Sequence, residues 1–245
     1  MKRRSRWLII VVFAAVALVC ARLGIWQLHR LQERRALNRA ALAERTRAPL
    51  DLELDDTLAS VSVNRRVRVT GRYDDSRDIV LRGRAYQGVP GVEIVSPLVN
   101  RSGTSAILVN RGFVPTPDAN TVPTEAYRAP GETHVTGIAL SMSSGGGVPI
   151  RHGSGTTWAK LDRNLLSRRF PYHINSIYIQ QTPDSVLPSG SSAPARFPRP
   201  LEPPPLDDGP HLSYAIQWFA FSLMAVVFGI LIARQSSDRP TLRLS

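Results

Sequence analysis

The chain has 245 residues, with 31 Lys/Arg against 19 Asp/Glu and a net charge of +12, enough length for one medium domain plus accessory segments. Residues 29–210 hold 23 basic and 18 acidic residues, a net +5; the other +7 lies at the two ends, which argues against a nucleic-acid groove and against nucleic acid as a partner. Cys20 is the only cysteine, so no disulfide within the chain can staple a domain.

Residues 1–6 carry Lys2, Arg3, Arg4 and Arg6, and a long apolar run follows from Trp7 to Trp26. The steps between the two tryptophans span roughly 28 Å of helix, close to a hydrocarbon core of about 30 Å, and tryptophans at both ends suit interfacial belts. This predicts a first transmembrane helix over 7–28. Residues 30–47 continue it as an amphipathic extension, which Pro49 ends. Strands are expected at 66–72, 78–82, 92–98, 105–109, 133–140 and 174–180, because apolar and polar residues alternate there and β-branched residues are frequent. The triplet Val-Thr-Gly occurs late in two of them, at 69–71 and 135–137, and suggests related bends. Asn110-Arg111-Gly112 reads as a tight turn after strand 105–109, with Gly112 free to take a positive φ. The Gly-rich stretch 143–155 reads as a mobile loop, 160–169 as a short helix, and 188–210 as a Pro-rich linker. A second transmembrane helix is expected over 211–233, and 234–245 forms a basic tail.

The basic residues before the first helix and after the second put both termini in the cytoplasm by the positive-inside rule. The fold class that follows is a membrane protein with two transmembrane α-helices flanking an extracytoplasmic α+β domain, residues 29–210, with a mainly antiparallel sheet. The lipid bilayer is one partner. G-x-S-x-G, H-E-x-x-H, C-x-x-C and Walker A sequences are absent, as are metal-ligand spacings and an obvious carboxylate pair. The expectation is a protein that is not an enzyme.

One concentration of polar and aromatic residues stands out. Arg22, Trp26, His29, Arg30 and Glu33 recur at helical spacing at the end of the first span, and His211, Tyr214 and Trp218 share a stripe at the start of the second. Arg22 falls roughly 9 Å inside the outer hydrocarbon edge, where it can snorkel or pair with an anion. If Trp26 and Tyr214 sit in the outer belt, Arg30 and His211 project at nearly the same depth. Such residues also serve as plain interfacial anchors.

The motifs at these positions resemble those of the surfeit locus protein one family. Leu23-Gly24-x-Trp26-Gln27-x-x-Arg30 resembles its first mark, and His211-Leu212-x-Tyr214-Ala215-x-x-Trp218-Phe219 its second. Between them, residues 108–115 (LVNRGFVP), 69–73 (VTGRY), Pro97-Leu98 and Trp158 with Asp162 follow in the family's order. Phe113 departs from it, standing where Trp is common, and His29 occupies a variable slot. The resemblance, as a bacterial member, implies a plasma-membrane assembly factor for haem-copper cytochrome c oxidase, with haem a handling as its task. The partners implied are oxidase subunits, within or without a respiratory supercomplex. Physical chemistry then names the cofactor-binding candidates: His211 as haem-iron ligand, Arg30 for the propionates, and Trp26, Tyr214 and Trp218 for packing on the macrocycle. Gln27 and Arg111 are the candidates for partner binding. Two alternatives stay open: the interface residues only dock an oxidase subunit, or the chain is a stoichiometric accessory subunit of the oxidase or supercomplex.

Overall fold

The computed structural model describes residues 3–54, 61–152, 155–183 and 197–235. Residues 188–196 of the expected linker and the tail beyond 235 lie outside them. The elements in chain order are helix α1 (Arg3–Thr46), strands β1 (Leu50–Leu52), β2 (Arg66–Tyr73), β3 (Ile79–Tyr86), β4 (Val89–Val99), β5 (Ser105–Pro115), β6 (Glu132–Ser141), β7 (Ile150–His152) and β8 (Gly155–Trp158), helix α2 (Arg163–Leu166), strand β9 (His173–Gln181) and helix α3 (His211–Gln235). The chain divides into two compact units, Met1–Ala40 with Leu206–Ser245, and Ala41–Pro205.

In the first unit, α1 and α3 are long and apolar enough to cross a membrane. Their large apolar side chains are mostly exposed, Trp7, Leu8, Leu18 and Leu223 among them. Such a surface is unfavourable in water, at about 25 cal/mol per Å², and suits lipid. α1 passes without a break into its amphipathic end, as the sequence periodicity predicts.

The second unit is sheet-rich. All six expected strands form, and the pairs are antiparallel except β1–β2, β3–β8 and β5–β9. The strand order is β1-β2-β6-β9-β5-β4-β3-β8-β7, and β2 also pairs with β4. That extra pairing, Arg72 with Val99 and Tyr73 with Leu98, closes β2, β6, β9, β5 and β4 into a ring. Each of the five strands sends apolar residues inward: Val67 and Val69, Val135 and Ala139, Ile177 and Ile179, Ile107 and Val109, and Leu98. Closure removes the edges that an open sheet would expose. The two Val-Thr-Gly triplets lie on paired strands, with Val69 opposite Val135. Their glycines allow close packing: a methyl on Gly71 would lie 2.7 Å from the Val99 carbonyl oxygen, and one on Gly137 2.3 Å from that of Gln180.

Outside the ring, Ile79, Leu81, Val95, Leu108, Trp158, Leu166 and Phe170 make a second core. Asp162 anchors it: its side chain accepts from the Asn164 and Leu165 amides as the N-cap of α2, and from the Gly147 amide. Burial works to raise the Asp162 pKa, but the backbone hydrogen bonds outweigh it and hold the carboxyl below its usual range. The helix expected over 160–169 is a single turn. The stretch 143–155 is not the free loop expected. Ser143 donates to the Leu161 carbonyl, and β7, inside the stretch, pairs antiparallel with β8, which begins at its end.

Two further expectations are corrected. Residues 197–205 are bound rather than a slack linker: Arg199 exchanges two backbone hydrogen bonds with Phe113, and the Glu202 carbonyl accepts from Gln180. Asn110-Arg111-Gly112 is a bulge inside β5, not a turn after it. Ile94 pairs with Gly112 and Val95 with Asn110, so Arg111 is the extra residue. Gly112 has φ +123°, as expected of a glycine there, and a methyl on it would meet the Arg199 carbonyl. The extra residue turns Arg111 inward. It is 7% exposed. Its guanidinium donates to Asp75 Oδ1 at 3.2 Å, to Ser96 Oγ at 3.3 Å and to the Tyr127 carbonyl. It also lies 4.8 Å from the Tyr73 ring centroid. A side chain held in this way is part of the core, where the sequence suggested a partner contact.

Ser96 Oγ donates in turn to Asp78 at 2.6 Å. Burial, helped by Asp75 and Asp74, pushes the Asp78 carboxyl up to about 6, against the Ser96 hydrogen bond and the Arg111 charge.

Two expected outcomes follow for the chain in detergent. Arg111→Ala removes the partner of the part-buried Asp75 and leaves a gap in the core, at a cost of about 3 kcal/mol, read as a drop in thermal midpoint; an unchanged midpoint would return Arg111 to the surface role. Asp78 binds a proton more tightly folded than unfolded. Its stabilising contribution is therefore complete below pH ~4 and lost as pH rises through ~6. Asp78→Asn should stabilise the fold at pH 7.5 by on the order of 1–2 kcal/mol, read as a higher thermal midpoint, and leave the midpoint unchanged at pH 4.

Candidate functional site

Small residues set the contact between α1 and α3. Ala17, Cys20 and Gly24 on α1, and Ala215 and Ala225 on α3, are buried. With Phe13 and Gln27 the α1 residues repeat at alternating steps of four and three, and with Ser222 and Gly229 the α3 residues fall at steps of seven, three and four, the spacing that keeps one seam facing a partner helix. The register is antiparallel. A methyl on Gly229 would lie 3.2 Å from Phe13 Cβ, and one on Gly24 2.8 Å from the Phe219 ring. Between these, Ser222 Oγ donates to the Ala17 carbonyl at 2.8 Å. Without side chains at Gly24 and Gly229 the backbones approach closely enough for that bond.

The seam ends in a polar pair. His211 Nδ1 lies 2.9 Å from Gln27 Oε1. An amide oxygen only accepts, so Nδ1 carries the proton, and the lone pair of a neutral ring lies on Nε2. Gly209, at φ +67°, lies beside that edge of the ring: a Cβ on it would be 3.7 Å from Nε2.

Beside the ring is an open groove of about 330 Å³, walled by Arg30, Glu33, Arg34, Leu37, Asp207, Gly209 and His211. Its far wall is the turn that leads into α3, and α1 holds that turn from below. Arg34 Nε and Asn38 Nδ2 donate to the Asp207 carbonyl at 3.1 and 2.8 Å. Arg35 pairs with Asp208 at 2.8 Å, and this hydrogen bond, ahead of the charge itself, keeps the Asp208 carboxyl below its usual range. Arg30 pairs with Glu33 at 2.7 Å; both are exposed, so the pair adds little stability and leaves Arg30 available to another anion.

Of the residues expected from the sequence, the structure brings His211, Gln27 and Arg30 together. Trp26 and Tyr214 do not line the groove; they are 53% and 46% exposed on the helix surface. Trp218 packs edge-on against Phe221, one turn further along its own helix, at 5.9 Å. Arg111 belongs to the other unit's core. The sequence reading missed Arg34, Asp207 and Gly209. Their signal is the turn sequence Asp207-Asp208-Gly209-Pro210 directly before a helix, which the Pro-rich linker absorbed.

No group of three or more His, Cys, Asp or Glu residues that could hold a bare metal ion occurs among the described residues. A larger groove of about 540 Å³ lies in the sheet-rich unit, but its main polar groups are paired: Arg101 with Glu132 at 3.0 Å, and the Tyr172 hydroxyl with Asp74 at 3.0 Å.

A family model described as the SURF1 family matches residues 14–223. A SURF1-like protein of Monosiga brevicollis is 26% identical over 241 residues, covering 94% of this chain and 89% of that protein. An uncharacterized SURF1-like protein of Mycobacterium tuberculosis is 27% identical over 234 residues, covering 91% of this chain and 82% of that one. Surfeit locus protein 1 of Takifugu rubripes is 27% identical over 131 residues, 47% of this chain and 55% of its own length.

The seam predicts a cross-link. In a Cys20→Ser background, Phe13→Cys with Gly229→Cys should form an intramolecular disulfide on mild oxidation, because the Cβ separation is within a few tenths of an ångström of the usual ~3.5–4.5 Å. Phe13→Cys with the outward Leu223→Cys should not. Equal yields from the two pairs would refute the register.

Proposed function

The chain belongs to the SURF1 family, a family of cytochrome oxidase assembly factors rather than enzymes, and on that premise we propose that it holds haem a at a membrane surface during assembly of a haem-copper cytochrome c oxidase. The observation that carries this reading is the placing of His211: one ring nitrogen is bonded to Gln27, and the residue lines an open groove together with Arg30 and Arg34.

The residues fit the group. One imidazole is too little for a bare cation, but it suffices for an iron that arrives with four nitrogens of its own macrocycle. When bound, haem a would supply an iron that takes an imidazole nitrogen, and His211 Nε2 would be that donor. Arg30 and Arg34 would pair with propionates. At about 330 Å³ the groove is at the small end of ligand sites and open, so it would grip one edge of the macrocycle and leave the isoprenoid tail in lipid.

In this reading both helices span the plasma membrane, with both termini cytoplasmic and Ala41–Pro205 outside. The exposed apolar surface of the helix pair and the basic termini support it. The oxidase is the partner, and a transient factor should be substoichiometric in purified oxidase.

The test is His211→Ala. Expression and membrane insertion should be unchanged, since alanine is well tolerated in a helix, while haem bound to the purified chain and haem a content of the cell's oxidase should both fall. A variant whose oxidase is fully haemylated would turn the helix ends into a docking belt. For topology, a tag at Gly145 should be accessible from outside intact cells and tags at either terminus should not.

A further inference from the structure

We propose that Gln27 is the positioning residue of this site: its amide oxygen holds the His211 Nδ1–H, so that the ring offers its Nε2 lone pair to an iron macrocycle seated against Arg30 and Arg34. The proposal rests on the reading of His211 as iron ligand and adds the group that makes the ligand competent.

A free neutral imidazole exchanges its proton between the two nitrogens and turns about its side-chain bonds. Only one tautomer in one orientation presents Nε2 to the groove. The 2.9 Å bond to Gln27 selects both at once, because an acceptor on the Nδ1 side fixes the proton there and stops the ring turning. The acceptor is itself fixed. Gln27 lies on the α1 seam, between buried Gly24 one turn before it and buried Leu31 one turn after it, so its backbone is set by the helix contact rather than by a loop. Gly209 lies beside the opposite edge of the ring, where a Cβ would be 3.7 Å from Nε2.

The choice of an amide also follows from the location. Ligating histidines commonly donate their second N–H to a carboxylate or a carbonyl. A carboxylate at the end of an apolar seam carries a desolvation cost that a neutral amide avoids. Gln27 thus supplies the acceptor without a charge. This role differs from the partner-binding one expected of Gln27 from the sequence: the side chain is spent on His211 within its own helix pair.

The experiment uses the full chain in lipid nanodiscs, with ferric protoporphyrin IX as the probe. Soret titration gives affinity, and ¹⁵N shifts of labelled histidine give the His211 tautomer before the probe is added. Wild type should show the Nδ1–H tautomer. Gln27→Leu should lose that preference and bind the probe about 10- to 100-fold more weakly. Gln27→Glu, which keeps an acceptor, should restore the tautomer and bind within a few-fold of wild type. The Phe13→Cys/Gly229→Cys cross-link should form equally in all three, which separates positioning from a damaged helix pair. If Gln27→Leu keeps the tautomer and the affinity while His211→Ala loses binding, the positioning role is wrong and the ligand reading stands. If His211→Ala binds the probe as wild type does, the ligand reading itself fails, and this proposal with it.

Discussion

Close approach of α1 and α3, permitted by Gly24 and Gly229, is the constraint on which the helix pair depends. A methyl at Gly24 would run into the Phe219 ring, and one at Gly229 would press on Phe13. With both absent, Ser222 reaches a main-chain carbonyl of the facing helix and the register is fixed. That register sets which residues meet at the end of the seam. A slip of one helical turn would separate Gln27 from His211 by about 5 Å. A contact made of the smallest side chains thus determines the geometry of the most polar ones. For a pair set in lipid, as proposed above, packing of this kind has no hydrophobic effect between the helices to rely on, so the close fit and the Ser222 hydroxyl bond would carry the association.

In the sheet-rich unit a single extra residue has the comparable effect. The bulge at Arg111 rotates a guanidinium from the face of β5 into the interior, where Asp75, Ser96, the Tyr127 carbonyl and the Tyr73 ring receive it. Asn110 supports the bulge: its side-chain oxygen accepts from the Gly112 amide at 3.1 Å, and its amide donates to Glu93 at 2.8 Å. Gly112 makes room for the passing segment at Arg199. Three consecutive residues of one motif therefore have three separate structural tasks.

The sequence showed the strands well because alternation is local: 66–72, 133–140 and 174–180 are visible in their own residues. The closed ring was not visible, since it depends on two residue pairs between β2 and β4, strands that are not joined in sequence. Asn-Arg-Gly was misread because turns and bulges use the same residue types. The distinguishing sign is that apolar pairs flank it on both sides, Leu108-Val109 and Phe113-Val114, one residue out of phase. At the helix ends His211 and Arg30 were legible from their depth along the helix. Depth does not give azimuth, and successive residues differ by about 100° around a helix. Trp26 is one residue from Gln27 and points elsewhere. The small-residue spacing at 17, 20 and 24 contained that azimuth, and reading it would have placed Gln27 on the seam and Trp26 off it.

The segment around Arg199 has a bearing on the order of events during synthesis. It lies along Phe113 with two main-chain hydrogen bonds, beyond the last strand of the ring, and Gln180 and Arg45 hold the carbonyls of Glu202 and Pro204 that follow. The sheet-rich unit therefore lacks part of its main-chain bonding until residue 204 has left the ribosome, a few residues before α3 begins. Its ring also needs β9 to join β5 and β6, so early pieces cannot close by themselves. Completion of the unit and arrival of the second helix then fall close together in time, and truncations that end between Gln181 and Pro204 should be targets for proteolysis although every strand is present.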